Sequence, residues 1–204
     1  MLAGIIARIA PSAMILPVRV MNGDGVGTMM NVAKGLHYAV KAGARVVTMS
    51  FGSSKLTAAM KDVIDEANNA KVIMVAAAGN DGTNQMQYPA LRSGVIAVTS
   101  VESNNSKSVY ADYGPAIAIV APGSGIRSTY VDGGYATWSG TSFSVPFVAA
   151  EAVMIVSRCP QLPPNSVTDA IRRTARSVDT YNPLYKGQLG KGMIDIEAAV
   201  KSVH

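Results

Sequence analysis

A serine stands at the head of the most apolar helix that the sequence encodes. The stretch Trp138-Ser-Gly-Thr-Ser-Phe-Ser-Val-Pro-Phe-Val-Ala-Ala150 joins a tight turn to that helix and puts Ser142 at its start. Gly140 permits a sharp turn, Thr141 and Ser142 are both good N-cap types, and Pro146 is placed near the first turn, where a missing N–H costs least. Beyond it Val148, Ala149, Ala152, Val153, Ile155 and Val156 predict a helix that is apolar nearly all round, as in the middle of a domain. A hydroxyl at such a helix start sits among unpaired backbone donors in a field that favours negative charge. That environment suits a nucleophile whose reaction creates an oxyanion. It equally suits a serine that only caps a core helix.

A nucleophilic serine needs a base to take its proton, and the base needs an orienting acid. The sequence has two histidines. His204 is the last residue, and His37 lies in a helical pattern beside apolar Leu36, which reads as a structural or surface histidine. Cys159 is the only cysteine, so neither an intrachain disulfide nor a cysteine-rich metal site is available.

The elements that position Ser142 can be read from periodicity. Arg45–Phe51, Val72–Ala78, Gly94–Thr99 and Ala116–Ala121 are apolar runs of strand length, and Ala13–Val20 is a further strand candidate weakened by Pro17. Leu2–Ala10, Thr28–Ala42, Thr57–Ala70 and a segment from Pro163-Pro164 to Ala175 read as helices, and Asp195 can cap a final one. Gly133-Gly134 marks a hairpin within Thr129–Tyr135. Strands alternating with helices imply an α/β domain with a mostly parallel sheet and helices on both faces. Ligands in such sheets bind beyond the carboxyl ends of the strands, where Ser50, Gly52, Gly79 and Asn80 fall.

Composition agrees with one globular domain. The chain has 204 residues, 49% hydrophobic and 15% charged, with a net charge of +5. Arg172, Arg173 and Arg176 read as a solvated helix face rather than a nucleic-acid stripe, and no apolar run is long enough for a membrane span. The start of the chain lacks the basic residues and cleavage site of a signal peptide. The glycine-rich loop Asn22–Gly27 lacks the Gly-Lys-Ser/Thr ending of a nucleotide loop.

Four motifs in order, Val-Ala-Ala-Ala-Gly-Asn80, Tyr88-Pro-Ala90, Ala121-Pro-Gly123 and Gly140-Thr-Ser142 with a proline four residues on, resemble those of the subtilisin-like serine proteases, the subtilases. The resemblance runs from the first residues past Gly192. It implies a three-layer subtilisin-like fold and hydrolysis of peptide bonds, with Ser142 as nucleophile and Asn80 as oxyanion donor alongside the Ser142 N–H. It also implies that Ser50, Phe51 and Gly52 pair with an extended peptide and that Gly25 and Gly27 edge the groove. Ala77, Ala78 and Gly79 would wall a pocket which, with Tyr88, reads as open to a sizeable apolar residue. Peptide or protein is the implied partner, with neither nucleic acid nor membrane, and the parent family is mostly extracellular. No metal ligand or cofactor is assigned, although backbone carbonyls near Ala90–Val95 are a place for a weakly held cation.

The departures from the family pattern concern the triad. Subtilisin's order is Asp, His, Ser, so both partners should precede Ser142. Met1-Leu-Ala-Gly4 matches the end of the family's His-Gly-Thr-X-Val-Ala-Gly motif, which would set the histidine three residues before Met1. Asp24 follows that position and is a loop residue. Residues 1–204 therefore read as a single catalytic domain lacking its Asp/His portion. The origin is a reading frame begun at an internal Met, a piece completed by an N-terminal segment or second protomer, or a short protein that has lost proteolysis. An inactive peptide-binding or structural module is the alternative to the peptidase.

Overall fold

The computed structural model describes residues 1–203, and His204 lies outside the described residues. Its centre is a four-stranded sheet in the order β1 (Val46–Met49), β2 (Ile73–Ala77), β3 (Val95–Val101), β4 (Ile119–Pro122), with each adjacent pair parallel. β2 is buried along its whole length, as a central parallel strand covered on both faces must be.

Alternation along β2 sorts the core into two layers. Ile73, Val75 and Ala77 pack with Val145, Val148, Ala152 and Ile155 of α4 (Thr141–Arg158) and with Val167 and Ile171 of α5 (Pro164–Thr174). Met74, Ala76 and Ala78 pack on the other face with Val32 and Leu36 of α2 (Met29–Lys41) and Val63 and Ile64 of α3 (Ala58–Asn69). The result is the expected three-layer arrangement, with α6 (Ile196–Lys201) beside α4 and α5. Local chemistry sets the helix starts. Thr28, Thr57 and Asp195 each accept a bond from the amide three residues on. A short helix α1 (Leu2–Ile9) packs on α4. The hairpin expected around Gly133-Gly134 is β5 (Ile126–Thr129) with β6 (Tyr135–Trp138).

Close backbone approaches hold the ends together. Gly192 has φ +115, and a Cβ there would lie 2.1 Å from the Arg176 carbonyl oxygen, so only glycine lets residues 192–194 run between Arg176 and β4.

The structure corrects two expectations. Ala13–Val20 forms no regular strand and joins no ladder, and Met14, Ile15 and Leu16 are 99%, 41% and 44% exposed. Among the described residues no strand lies beside it to take its hydrogen bonds, and Pro17 removes one donor from it. The second concerns α4, whose apolar run contains Glu151, a carboxyl that is completely buried.

Candidate active site

The ends of β1 and β2 and the start of α4 meet at Ser142. The N-cap of α4 is Gly140 at φ 154, which has no side chain of its own to cap the helix. Thr141 is the first helical residue and Ser142 the second, so the Ser142 hydroxyl is not spent on capping. It donates instead to the Ser50 carbonyl, at 3.0 Å, just past β1.

Pro146 explains the return contact. It is the sixth residue of α4, beyond the first turn where the sequence placed it, and its missing N–H would have bonded the Ser142 carbonyl four residues back. The Ser50 hydroxyl takes that place, donating to the Ser142 carbonyl at 3.0 Å. Two reciprocal bonds thus tie the end of β1 to the start of α4. The sequence suggested Ser50 for its backbone; its side chain is as much a part of the site.

Asn80 is fixed from the other side. Its Oδ1 accepts from the Thr141 N–H at 2.9 Å and from the Thr141 hydroxyl at 2.9 Å. Because the oxygen faces two donors, the NH2 group must face away, and among the described residues Nδ2 donates to nothing. In the first turn the N–H groups of Gly140, Thr141 and Phe143 all have acceptors, so the Ser142 N–H and the Asn80 amide are left beside each other, donors of the kind that can hold an oxyanion.

The other residues that the sequence singled out are distributed as follows. Phe51 is half-buried against the α2/α3 layer and Gly52 is exposed. Ser53 and Tyr88 then bond each other through both main-chain groups, at 2.9 Å each way. Ala77 and Ala78 are buried with their methyl groups in opposite core layers. Gly79 is buried at φ 126. Gln87 stands between the two glycines: a Cβ on Gly52 would lie 2.1 Å from Gln87 Oε1, and one on Gly79 would lie 3.2 Å from Gln87 Cγ. Gln87 Nε2 donates to Asp81 at 3.0 Å. The space read as an open apolar pocket therefore holds an amide, which the sequence reading overlooked.

Gly27 lines an open cleft of about 660 Å³ against α2, together with Arg19, Asn22 and Lys34, and Gly25 sits in the turn that Asn22 closes. Neither Ser50, Asn80 nor Ser142 lines that cleft. The Ala90–Val95 turn is closed by its own backbone bonds, Arg92 N–H to the Pro89 carbonyl and Val95 N–H to the Arg92 carbonyl. Among the described residues no three His, Cys, Asp or Glu side chains are grouped to hold a metal, and no helix is long and apolar enough to cross a membrane.

Among the described residues no base touches Ser142, whose hydroxyl bonds only the Ser50 carbonyl. His37 is half-exposed on α2, and its Nδ1 lies 2.7 Å from Glu66 of α3. That contact holds the Glu66 carboxyl below its usual range. His37 is the surface residue that its helical setting predicted.

This three-layer α/β domain sets a serine hydroxyl free of capping duty at a central helix start, next to an oriented amide donor, which are groups that a serine nucleophile would need. The chain belongs to the subtilase family, Peptidase S8, whose model matches residues 2–192. It is 38% identical over 167 residues to a thermostable alkaline protease of Halalkalibacterium halodurans, covering 82% of this chain and 46% of that protein. It is 34% identical to subtilisin BL of Lederbergia lenta, over 95% of this chain and 70% of the relative. Among solved structures, a protease of Pseudoalteromonas arctica superposes with a TM-score of 0.86 at 29% identity, over 95% of this chain and 64% of that one. A lanthipeptide protease gives 0.85 at 24% identity, over 98% and 74%, a likeness of fold.

Proposed function

We propose that the chain is the nucleophile-bearing part of a serine endopeptidase domain. Ser142 Oγ attacks the carbonyl carbon of a peptide bond, and the carbonyl oxygen becomes an oxyanion held by Asn80 Nδ2 and the Ser142 N–H. The C–N bond then breaks as the base hands the serine's proton to the departing amine, leaving an acyl-serine, which water hydrolyses to the acid and free Ser142. The observation that carries this reading is the pair of contacts at α4: a serine hydroxyl free of capping duty, and an asparagine turned so that only its NH2 is available. Ser50–Gly52, at the end of β1, offers main-chain groups to an extended peptide.

The Ser142 proton rests on a carbonyl, which is no base at neutral pH. The chemistry therefore calls for a histidine and its carboxylate, brought by an N-terminal segment or by a second protomer. The outer edge of β1, next to Ser50, is an unpaired strand edge on which such a segment can add. By itself the chain is inert in this reading. The same contacts support the second reading, an inactive module that holds extended peptides, because Ser142 has a settled hydrogen bond without any base.

A fluorophosphonate probe separates the two, with Ser142→Ala as control. The peptidase reading expects no labelling of the chain alone and Ser142-dependent labelling once an Asp/His-bearing segment is supplied. No labelling in either form would leave the module as the function.

Specificity follows from Gln87. In the completed protein, Gln87→Gly is expected to favour large apolar residues before the cut, by on the order of tenfold in relative kcat/KM, since each buried methylene is worth roughly that factor. Competition between substrates with alanine and phenylalanine at that position measures it. An unchanged ratio would show that Gln87 does not close the pocket.

A further inference from the structure

The loop that carries Asn80 is stitched to a buried aspartate that the mechanism does not use. Asp112 lies beyond β3 and is completely buried. Its Oδ1 accepts from the backbone N–H groups of Asp81, at 3.0 Å, and Thr83, at 2.9 Å, in the turn that follows Asn80. Its own N–H donates to the Gly79 carbonyl at 3.1 Å, on the other side of Asn80. Its carbonyl accepts from the Thr99 hydroxyl of β3, which anchors it to the central sheet. Among the described residues Oδ2 has no partner, and it lies where a Gly79 Cβ would be, 2.0 Å from that position, so Gly79 and the carboxyl are fitted to each other. Gly82 N–H to the Tyr110 carbonyl and Tyr113 N–H to the Thr83 carbonyl complete the seam.

We infer that Asp112 is a positioning residue for Asn80, its side chain and main chain gripping the Gly79–Thr83 turn on both sides of the amide donor. The inference rests on the reading of Asn80 as oxyanion donor. Thr141 sets which way the Asn80 side chain faces; Asp112 sets where its backbone stands. An oxyanion donor is effective only where it is held in advance, and the turn from Asn80 to Thr83, exposed except for half-buried Gly82, has no such order of its own. A short side chain with a planar two-atom head accepts from two amides with one oxygen and abuts the glycine with its other atom, and a longer side chain would not fit there. Its burial beside Lys107, whose ammonium is held by the carbonyls of Ser108 and Ala111 at 2.8 and 2.7 Å, keeps water from competing for those amides.

The test uses the 204-residue chain, with amide hydrogen exchange and NMR of the Asn80 side-chain NH2. Wild type should protect the Asp81 and Thr83 amides and show one ordered Asn80 NH2 pair. Asp112→Ala should speed exchange at both amides by at least about tenfold, as expected for loss of a buried acceptor, and shift or broaden the Asn80 pair. Asp112→Asn, which keeps one acceptor oxygen, should restore both signals. A core substitution of equal cost to global stability, such as Val167→Ala, should leave the Asn80 pair unmoved. The inference is overturned if Asp112→Ala leaves that pair unchanged, or if Val167→Ala moves it equally. Should Asp112→Ala not fold, fast exchange of Asp81 and Thr83 in wild type, or an Asn80 pair unmoved in Asp112→Asn relative to a fully randomised amide, overturns it. Probe labelling of Asn80→Ala in the completed protein tests the oxyanion reading separately: wild-type labelling there removes that reading and leaves the exchange result for Asp112 standing.

Discussion

Joined to a segment that supplies a histidine and its aspartate, the chain is expected to cleave peptides on the order of a millionfold faster than it does alone, the scale found for triad loss in subtilisin, a relative. Ser142→Ala should abolish the gain. The reasoning starts from the Ser142 hydroxyl, which donates to a main-chain carbonyl. A carbonyl oxygen can accept a hydrogen bond but not the proton, so attack would have to proceed from a neutral hydroxyl. The amide donors around Ser142 remain, and in subtilisin such donors with substrate binding still give about a thousand- to ten-thousandfold over water. Turnover of a chromogenic peptide, compared with and without the segment, reads the ratio. A chain that is fully active alone would mean that some group in it already serves as base, and the assignment of roles would have to be redrawn. A chain that gains nothing, yet binds the segment, would favour the inactive module.

Glu151→Gln is expected to stabilise the protein at and above pH 8 and to leave it nearly unchanged at pH 4. Glu151 lies on α4, completely buried, and among the described residues neither carboxyl oxygen has a partner. Burial, with a smaller contribution from Asp195, pushes its carboxyl up to about 8 from 4.5. The sign follows from where the proton goes. Below about pH 4.5 both folded and unfolded chains hold it. Between 4.5 and 8 the unfolded chain releases it while the folded chain keeps it, so stability falls as pH rises. Above 8 the difference is constant. The accumulated cost is at most about 5 kcal/mol, at ~1.4 kcal/mol per pH unit, and water reaching the carboxylate would reduce it. Glutamine keeps the shape and never ionises. Asp112 and Lys107 also depart from their usual ranges, both chiefly through burial, the carboxyl upward and the ammonium downward. Comparing wild type with the variant cancels their effects. Urea melts at pH 4, 6 and 8 decide: parallel pH profiles for the two proteins would show that Glu151 is solvated or paired in solution.

What the sequence made legible was local or periodic. The alternation in Ile73–Ala77 sorts side chains into two core layers, and Thr28, Thr57 and Asp195 announce helix starts, because each effect needs only neighbours in the chain. Ser142 and Asn80 were legible through family motifs, although their separation of 62 residues conceals that Thr141 joins them. The rest depended on distant contacts. That Ser50 repairs the bond Pro146 breaks requires knowing that β1 ends at α4. Gln87 could be suspected only once Gly52 and Gly79 were known to face each other, and Asp112 looks like any loop aspartate until the turn after Asn80 is folded onto it. Glu151 carried a usable signal: it lies within a run that reads as apolar nearly all round, so whichever face it takes is an inward one. Ala13–Val20 failed as a strand because strand propensity does not provide a neighbour.

The close fits at Gly79 and Gly192 bear on how a saturation-mutagenesis survey of this protein would read. At Gly79 any side chain meets the Asp112 carboxyl, and at Gly192 it meets the Arg176 carbonyl, both in backbone conformations that other residues rarely adopt. Selection for abundance alone will deplete every substitution at these two positions, as completely as selection for proteolysis would at Ser142. Ser142, half-buried and replaceable by alanine without a clash, should tolerate change in the abundance screen. Intolerance by itself would therefore rank two spacers beside Ser142, the proposed nucleophile, and only the difference between the two screens separates residues that make room from residues proposed to react.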